Sequence, residues 1–301
     1  METMPAIRTE SLTKRFRFTP ALNQMDLIVP QGSIYALVGP NGAGKTTCIK
    51  ILMNLLRPSA GRAGVLGRDS RRLSPADFAQ IGYASENLQL PEWMTVEYFL
   101  GYLKPFYPTW DDARAGELLR QFALPRDRKL KELSRGMKMK AALASVLAYH
   151  PRVIVLDEPF SGLDPLVRDE LIQTLLGHCA DATVLLSSHD LAEMETFASH
   201  IGYLEHGSLR FSEELTSLQN RFRELDVLLN QPATIPRPWP TDWLPAEAAG
   251  AVVRFTDTQF QTEQTTARIH SLWPNVMSIE ARAMPLRSIF VALAKSGRKA
   301  E

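Results

Sequence analysis

Cysteine is nearly missing from this chain of 301 residues, where only Cys48 and Cys179 occur. That excludes a disulfide framework and points to a reducing compartment. Long hydrophobic runs are missing as well. The longest nearly apolar stretch, 141–149, falls far short of the roughly 20 residues that span a bilayer. The opening residues, METMPAIRTESLTKRF, lack the apolar core of a secretory signal. A cytoplasmic chain is expected, and docking onto a membrane protein stays open. Excess charge of one sign is also lacking. Thirty-four Lys and Arg face 33 Asp and Glu, a net charge of +1, so no partner held by bulk charge, nucleic acid included, is implied. No internal repeat is visible. With 45% hydrophobic and 22% charged residues, the chain has the composition of a globular protein long enough to bury a core.

Continuous apolar runs closed by polar residues occur at 33–38 (SIYALV), 152–159 (RVIVLDEP) and 182–189 (ATVLLSSH). Helical patterns lie between and after them; in the first, Ile49, Leu52, Met53 and Leu56 share one face and Arg57-Pro58 ends the run. Buried strands alternating with helices predict an α/β fold with a mostly parallel sheet. Residues 87–150 read instead as an inserted helical subdomain. Its aromatics Trp93, Tyr98, Phe99, Tyr102, Phe106, Tyr107 and Trp110 are expected mostly in its core, the alternative being that they line a groove after Glu86 that receives a partner. At 231–245 (QPATIPRPWPTDWLP) five prolines forbid regular structure, which predicts a linker or an extended irregular segment. Beyond it, AVVRF predicts a strand and PLRSIFVALAK an amphipathic helix, with the tail SGRKAE frayed. The expected domains are therefore 5–214 and a small α+β appendix, 215–301.

Three glycines within six residues form the densest chemical signal. Gly39, Pro40, Asn41, Gly42, Ala43, Gly44, Lys45 and Thr46 fit G-x-x-x-x-G-K-[ST] between a strand and a helix, the context that a P-loop requires. Small residues let backbone N–H groups converge on an anion, and the helix that follows adds the positive end of its dipole. Lys45 supplies a point charge for β- and γ-phosphates, and the Thr46 hydroxyl is placed for Mg²⁺. Glycine orders at a cost in chain entropy, which bound phosphate would offset. Asp157 and Glu158 end the VIVL strand. Alone they could simply open a loop before Pro159; beside a P-loop they supply the acid near Mg²⁺ and the group that orients water.

The segment ELSRGMKMKAALASVLA (132–148) lies between these two motifs. Ser134 is a candidate N-cap with Met139, Leu143, Val146 and Leu147 on one face, in isolation an ordinary capped helix. In this position it resembles the Leu-Ser-Gly-Gly-Gln signature of ATP-binding-cassette (ABC) transporter subunits, and about residues 5–210 resemble that family. The resemblance implies a P-loop NTPase fold that hydrolyses ATP with Mg²⁺. It casts Phe16 as the adenine-stacking aromatic, where a core Phe is otherwise as good a reading, and Thr47 as a further phosphate contact. It assigns Thr46 and Asp157 to the metal shell, which the Glu86 carboxylate can also approach, and makes Glu158 the general base or water orienter. Ser134 and Gly136 become the signature contacts to nucleotide. Asp164 falls in the D-loop-like Ser161-Gly162-Leu163-Asp164, and His189 is the switch histidine, otherwise a satisfied strand-end residue. Glu86 stands where the family usually has Gln beside the metal; Arg135 replaces the first signature Gly and Met137 the Gln. The family also implies two partners, a second cassette facing head to tail and a membrane-embedded permease, and the finer resemblance is to bacterial exporters. A soluble ABC ATPase acting on ribosomes or DNA, or a non-hydrolysing ATP sensor, are the rival readings.

Overall fold

The computed structural model describes residues 4–297 except 18, 88 and 180, with side chains to 292. The chain divides into two units, the first running to Asp190 and resuming over Thr196–Ser212, the second made of Leu191–Glu195 and the chain from Glu213.

In the first unit β1 (Ile7–Phe16) and β2 (Thr19–Val29) pair antiparallel, Ile7 opposite Val29. After β3 (Ile34–Val38) and α1 (Lys45–Leu52), the strands β4 (Ala60–Val65) and β5 (Arg68–Asp69) complete an antiparallel sheet in the order β2-β1-β4-β5. Residues 7–29 carry no long apolar run, so this sheet leaves no mark of the kind seen at 33–38. Next come α2 (Pro75–Phe78), opened by a Ser74–Asp77 capping box, and β6 (Ile81–Ser85). Three side-chain-capped helices follow: α3 (Val96–Leu103) behind Thr95, α4 (Asp112–Gln121) behind Asp111 and α5 (Arg135–Leu147) behind Ser134. The chain then alternates through β7 (Val153–Asp157), α6 (Pro165–His178), β8 (Thr183–Ser188), the short α7 (Leu191–Met194) of the second unit, β9 (His200–Glu205) and β10 (Ser208–Glu214).

The second sheet has the order β10-β9-β3-β8-β7-β6, and β6, β7, β8, β3 and β9 run parallel. Every residue of β7 and β8 is buried, which is why both read as unbroken apolar runs. Register decides what comes next. Ser85 lies opposite Asp157, Asp157 opposite Ser187, and Val38 opposite Ser188. Four strands therefore end level, and the polar residues that close them emerge along one edge.

Two expectations are corrected. Helix α1 stops at Leu52, a turn before the pattern through Leu56 suggested, because Asn54 takes φ 55°; asparagine tolerates the left-handed conformation that ends helices. The aromatics of 93–110 are mostly outside the core: Trp93, Tyr98, Tyr102 and Phe106 are exposed and Phe99 is buried, while Tyr107 stacks on Tyr149.

The second unit continues with α8 (Leu215–Arg221), β11 (Arg223–Leu229), β12 (Glu247–Ala249), β13 (Val252–Asp257), α9 (Thr262–Leu272), β14 (Val276–Ala283) and α10 (Leu286–Gly297). Its antiparallel sheet is ordered β12-β13-β11-β14. The proline-rich 231–245 is irregular but packed onto this sheet. Trp239 meets Trp243, Phe255 and Trp273 edge-on, and its indole N–H donates to the Trp243 carbonyl at 3.1 Å. The segment is a lid of the core, not a linker. Helix α10 takes in Ser296 and Gly297 of the tail; 298–301 lie outside the described residues. No described helix is long and apolar enough to cross a membrane.

Candidate functional site

The turn from β3 into α1 is the centre of the site. At Gly39 a Cβ would lie 2.1 Å from the Leu204 carbonyl oxygen, and at Gly44, with φ 110°, 2.3 Å from that of Ala21. These two glycines are required by the protein's own packing. Gly42 differs: at φ 81° its missing side chain would meet nothing within 4 Å. The expectation that phosphate accounts for the whole cluster is thereby narrowed, since neighbouring strands already impose two of the three.

Lys45 opens α1 and is buried, with 5% of its surface exposed. Its ammonium donates to the carbonyls of Gly39 at 2.7 Å and Pro40 at 3.3 Å and pairs with Glu158 Oε1 at 3.1 Å. A buried cation needs this many partners, since desolvation otherwise outweighs a single ion pair. Glu158 sits just past β7 at φ 51°, a conformation that costs a non-glycine residue about 1–2 kcal/mol. Its other oxygen, Oε2, lies 2.8 Å from His189 Nδ1 beyond β8. Asp157 is 2% exposed and accepts from Thr46 Oγ1 at 3.0 Å and Ser187 Oγ at 2.7 Å.

Ser187 was missed in the sequence. Its hydroxyl also accepts from the Glu158 N–H at 2.9 Å, so one oxygen braces both acidic residues. The available signal was a pair of serines ending an otherwise apolar buried strand. Cys48, facing the same core, is no nucleophile: burial, with the nearby Asp157 charge, pushes its thiol up to about 12.

Residues 41–47, Glu86, Glu158, Ser161 and His189 surround a cavity of about 460 Å³, within the range of small-molecule sites. Thr47 is on its wall. Glu86 donates its N–H to the Asp157 carbonyl at 3.0 Å while its carboxylate accepts from Arg135. Several other sequence candidates lie outside this lining. Ser134 caps α5 by accepting from the Met137 N–H at 3.3 Å, and Gly136 faces Val167, where a Cβ would come within 3.1 Å. Asp164 caps α6 through the Val167 N–H at 3.0 Å. Phe16, at the end of β1, is 48% exposed with the Lys14 ammonium 5.0 Å from its ring centre.

The donor set suits a magnesium ion. No cluster of three or more His, Cys, Asp or Glu side chains that could cage a metal occurs among the described residues, whereas Thr46 and Asp157 offer two adjacent hard oxygens. Mg²⁺ is commonly held by one or two such ligands together with substrate phosphates.

A parallel sheet that delivers these groups to one edge, with the glycine turn opening the helix after an inner strand, has the P-loop NTPase fold. Comparison narrows the class. A family model described as ABC transporter matches residues 22–161. The daunorubicin resistance ATP-binding protein DrrA2 of Streptomyces coeruleorubidus is 34% identical over 275 residues, 88% of this chain and 82% of that protein. The bacitracin transport ATP-binding protein BcrA of Enterococcus faecalis is 31% identical over 228 residues, covering 73% and 74%. A solved ATP-binding subunit of an ABC transporter matches with a TM-score of 0.65 at 28% identity, over 71% of this chain and 92% of that one. The chain belongs to the ATP-binding proteins of ABC transporters. It is an ATPase subunit, and ATP is its nucleotide.

Proposed function

We propose that two copies of this chain close head to tail around two ATP molecules and drive a separate membrane-embedded permease, in the direction of export. The observation that carries the dimer is the split of the site. The P-loop cavity holds Lys45, Thr46, Glu158 and His189, while Ser134 and Gly136, at the capped N-terminus of α5, are not in its lining. A second P-loop brought to that helix end would meet a capped terminus that favours anions.

Within the closed site Lys45 exchanges its loop carbonyls for β- and γ-phosphate oxygens, and Thr47 adds a hydroxyl contact. Thr46 and Asp157 would hold Mg²⁺, which neutralises charge on the phosphates when bound. Glu158, freed from Lys45, orients water and accepts its proton, while His189 stays on Glu158 Oε2 and reaches the γ-phosphate. Phe16 is exposed enough to stack on an adenine ring.

For the permease, the support is an apolar cavity of about 360 Å³ lined by residues such as Leu55, Phe78, Leu90, Pro91 and Leu103, on a unit that also exposes Trp93 and Phe106 at 65% and 61%. Contiguous exposed apolar surface marks interaction sites, and here Trp93 packs on Tyr98 and Tyr102 on Phe106. Support for export comes from the relatives, which serve daunorubicin resistance and bacitracin transport. The chain would then work at the inner face of the cell membrane.

Affinity capture from detergent-solubilised membranes of the host tests this reading. A stoichiometric multi-span protein supports it; recovery with ribosomes or nucleic acid alone sinks it. For the dimer, light scattering of Glu158→Gln with ATP should show a doubling of mass, and a monomer at high concentration refutes closure between identical copies.

A further inference from the structure

Two of the three positions at which this chain departs from the cassette pattern, Glu86 and Arg135, touch each other. Glu86 follows β6 and Arg135 opens α5, 49 residues later, and the guanidinium of one donates to the carboxylate of the other. The pair is partly desolvated, with 25% of the Glu86 side chain and 49% of the Arg135 side chain exposed. Glu86 is on the wall of the phosphate cavity. A smaller void of about 60 Å³, bounded by Glu86, Arg135, Lys138 and Glu158, adjoins the pair. The guanidinium also rests against Gly162, where a Cβ would start 2.8 Å from Nη1.

A site that already contains Asp157 and Glu158 acquires a third carboxylate through Glu86. Every added negative charge at that wall opposes a polyanionic substrate, and a neutral amide there would not. Arg135 is the neighbouring group that answers this charge. We infer that Arg135 is a positioning residue that carries the counter-charge of Glu86 and holds its carboxylate on the α5 side of the cavity, so that the two departures form one unit. In this chain the arginine in place of the signature glycine meets the glutamate in place of the glutamine.

The test is a double-mutant cycle on the purified full chain. Affinity for a fluorescent ATP analogue is measured in EDTA, where no metal screens the phosphates. Arg135→Gly should weaken binding about five- to tenfold, the size of one unscreened charge near the surface. In a Glu86→Gln background the same change should move it less than about twofold. Arg135→Lys, which keeps the charge, should stay within about threefold of wild type. Arg135→Gln repeats the comparison with a residue that suits a helix start, should glycine fray α5. Hydrogen exchange of the nucleotide-free protein supplies a readout independent of ligand. The Glu86 amide, bonded to the Asp157 carbonyl at 3.0 Å, should exchange faster in Arg135→Gly and Arg135→Gln, while the strands of the second unit stay unchanged. Equal weakening in the wild-type and Glu86→Gln backgrounds, or unchanged affinity with unchanged exchange at residue 86, overturns the inference.

Discussion

Replacing Ser187 with alanine removes one oxygen from the floor of the site. The residue is fully buried, and its hydroxyl makes two bonds, to Asp157 Oδ1 at 2.7 Å and from the Glu158 N–H at 2.9 Å. A hydrogen bond to an ionised acceptor contributes about 1.5–3 kcal/mol, and a buried N–H left without a partner costs about 1–3 kcal/mol. Asp157 keeps Thr46 at 3.0 Å, which places the total near the lower end, at about 3 kcal/mol. With a urea slope of about 2 kcal/mol/M, the midpoint of the first unit should fall by about 1.5 M. Activity should suffer more than stability. Glu158 is held at φ 51°, and without its N–H bond the backbone can relax toward ordinary geometry. A displacement of about 1 Å at a reacting group costs on the order of 100-fold, so kcat should drop by about that factor. KM should hold within about threefold, because the loop around Lys45 is untouched. Steady-state phosphate release and urea denaturation of the nucleotide-free chain measure both. A Ser187→Ala protein within about 0.5 kcal/mol of wild type and with unchanged kcat would show that the hydroxyl braces neither carboxylate.

Gly44→Ala should destabilise the nucleotide-free chain by more than about 2 kcal/mol, and Gly42→Ala by only about 1 kcal/mol; urea midpoints in the reverse order would refute the packing argument for the loop. Trp239→Ala should cost about 3 kcal/mol and lower the melting temperature of the second unit, followed by near-UV circular dichroism; an unchanged melt would return 231–245 to the status of a linker. Acid should loosen the second unit. Hydrogen bonds from Arg254 and Arg268 hold the carboxyls of Asp226 and Asp242 below their ordinary values. Their stabilisation is present above an unfolded pKa of about 3.9 and is lost as pH falls through the lower folded values. Asp226→Asn with Asp242→Asn should flatten that acid limb in a pH series of thermal melts.

The glycine motif, the carboxylates after an apolar run and the serine that opens α5 were legible because each rests on local chemistry. Backbone that approaches an anion needs small residues, a buried strand needs an unbroken apolar run, and a helix start needs a capping oxygen. The same locality made the sequence misleading elsewhere. Apolar spacing carried α1 on to Leu56, but one asparagine at φ 55° ended it. Aromatic richness suggested a core at 93–110, but burial depends on what the rest of the chain brings opposite, and nothing within the segment reveals that.

Local composition by itself therefore determined the class of chemistry, phosphate held at a strand-to-helix turn and acidic groups at a strand end. Only the tertiary structure decided who meets whom. Sheet register set Ser85, Asp157 and Ser187 level, gave Ser187 its two partners, and pressed Gly39 against Leu204. It also joined Glu86 to Arg135, two residues that in the sequence are unrelated exceptions. The physical reason is range. Capping, turns and hydrophobic runs are settled within a few residues, whereas a hydrogen bond across a parallel sheet or an ion pair between a loop and a helix start is fixed by strand order and register, which the local pattern does not contain.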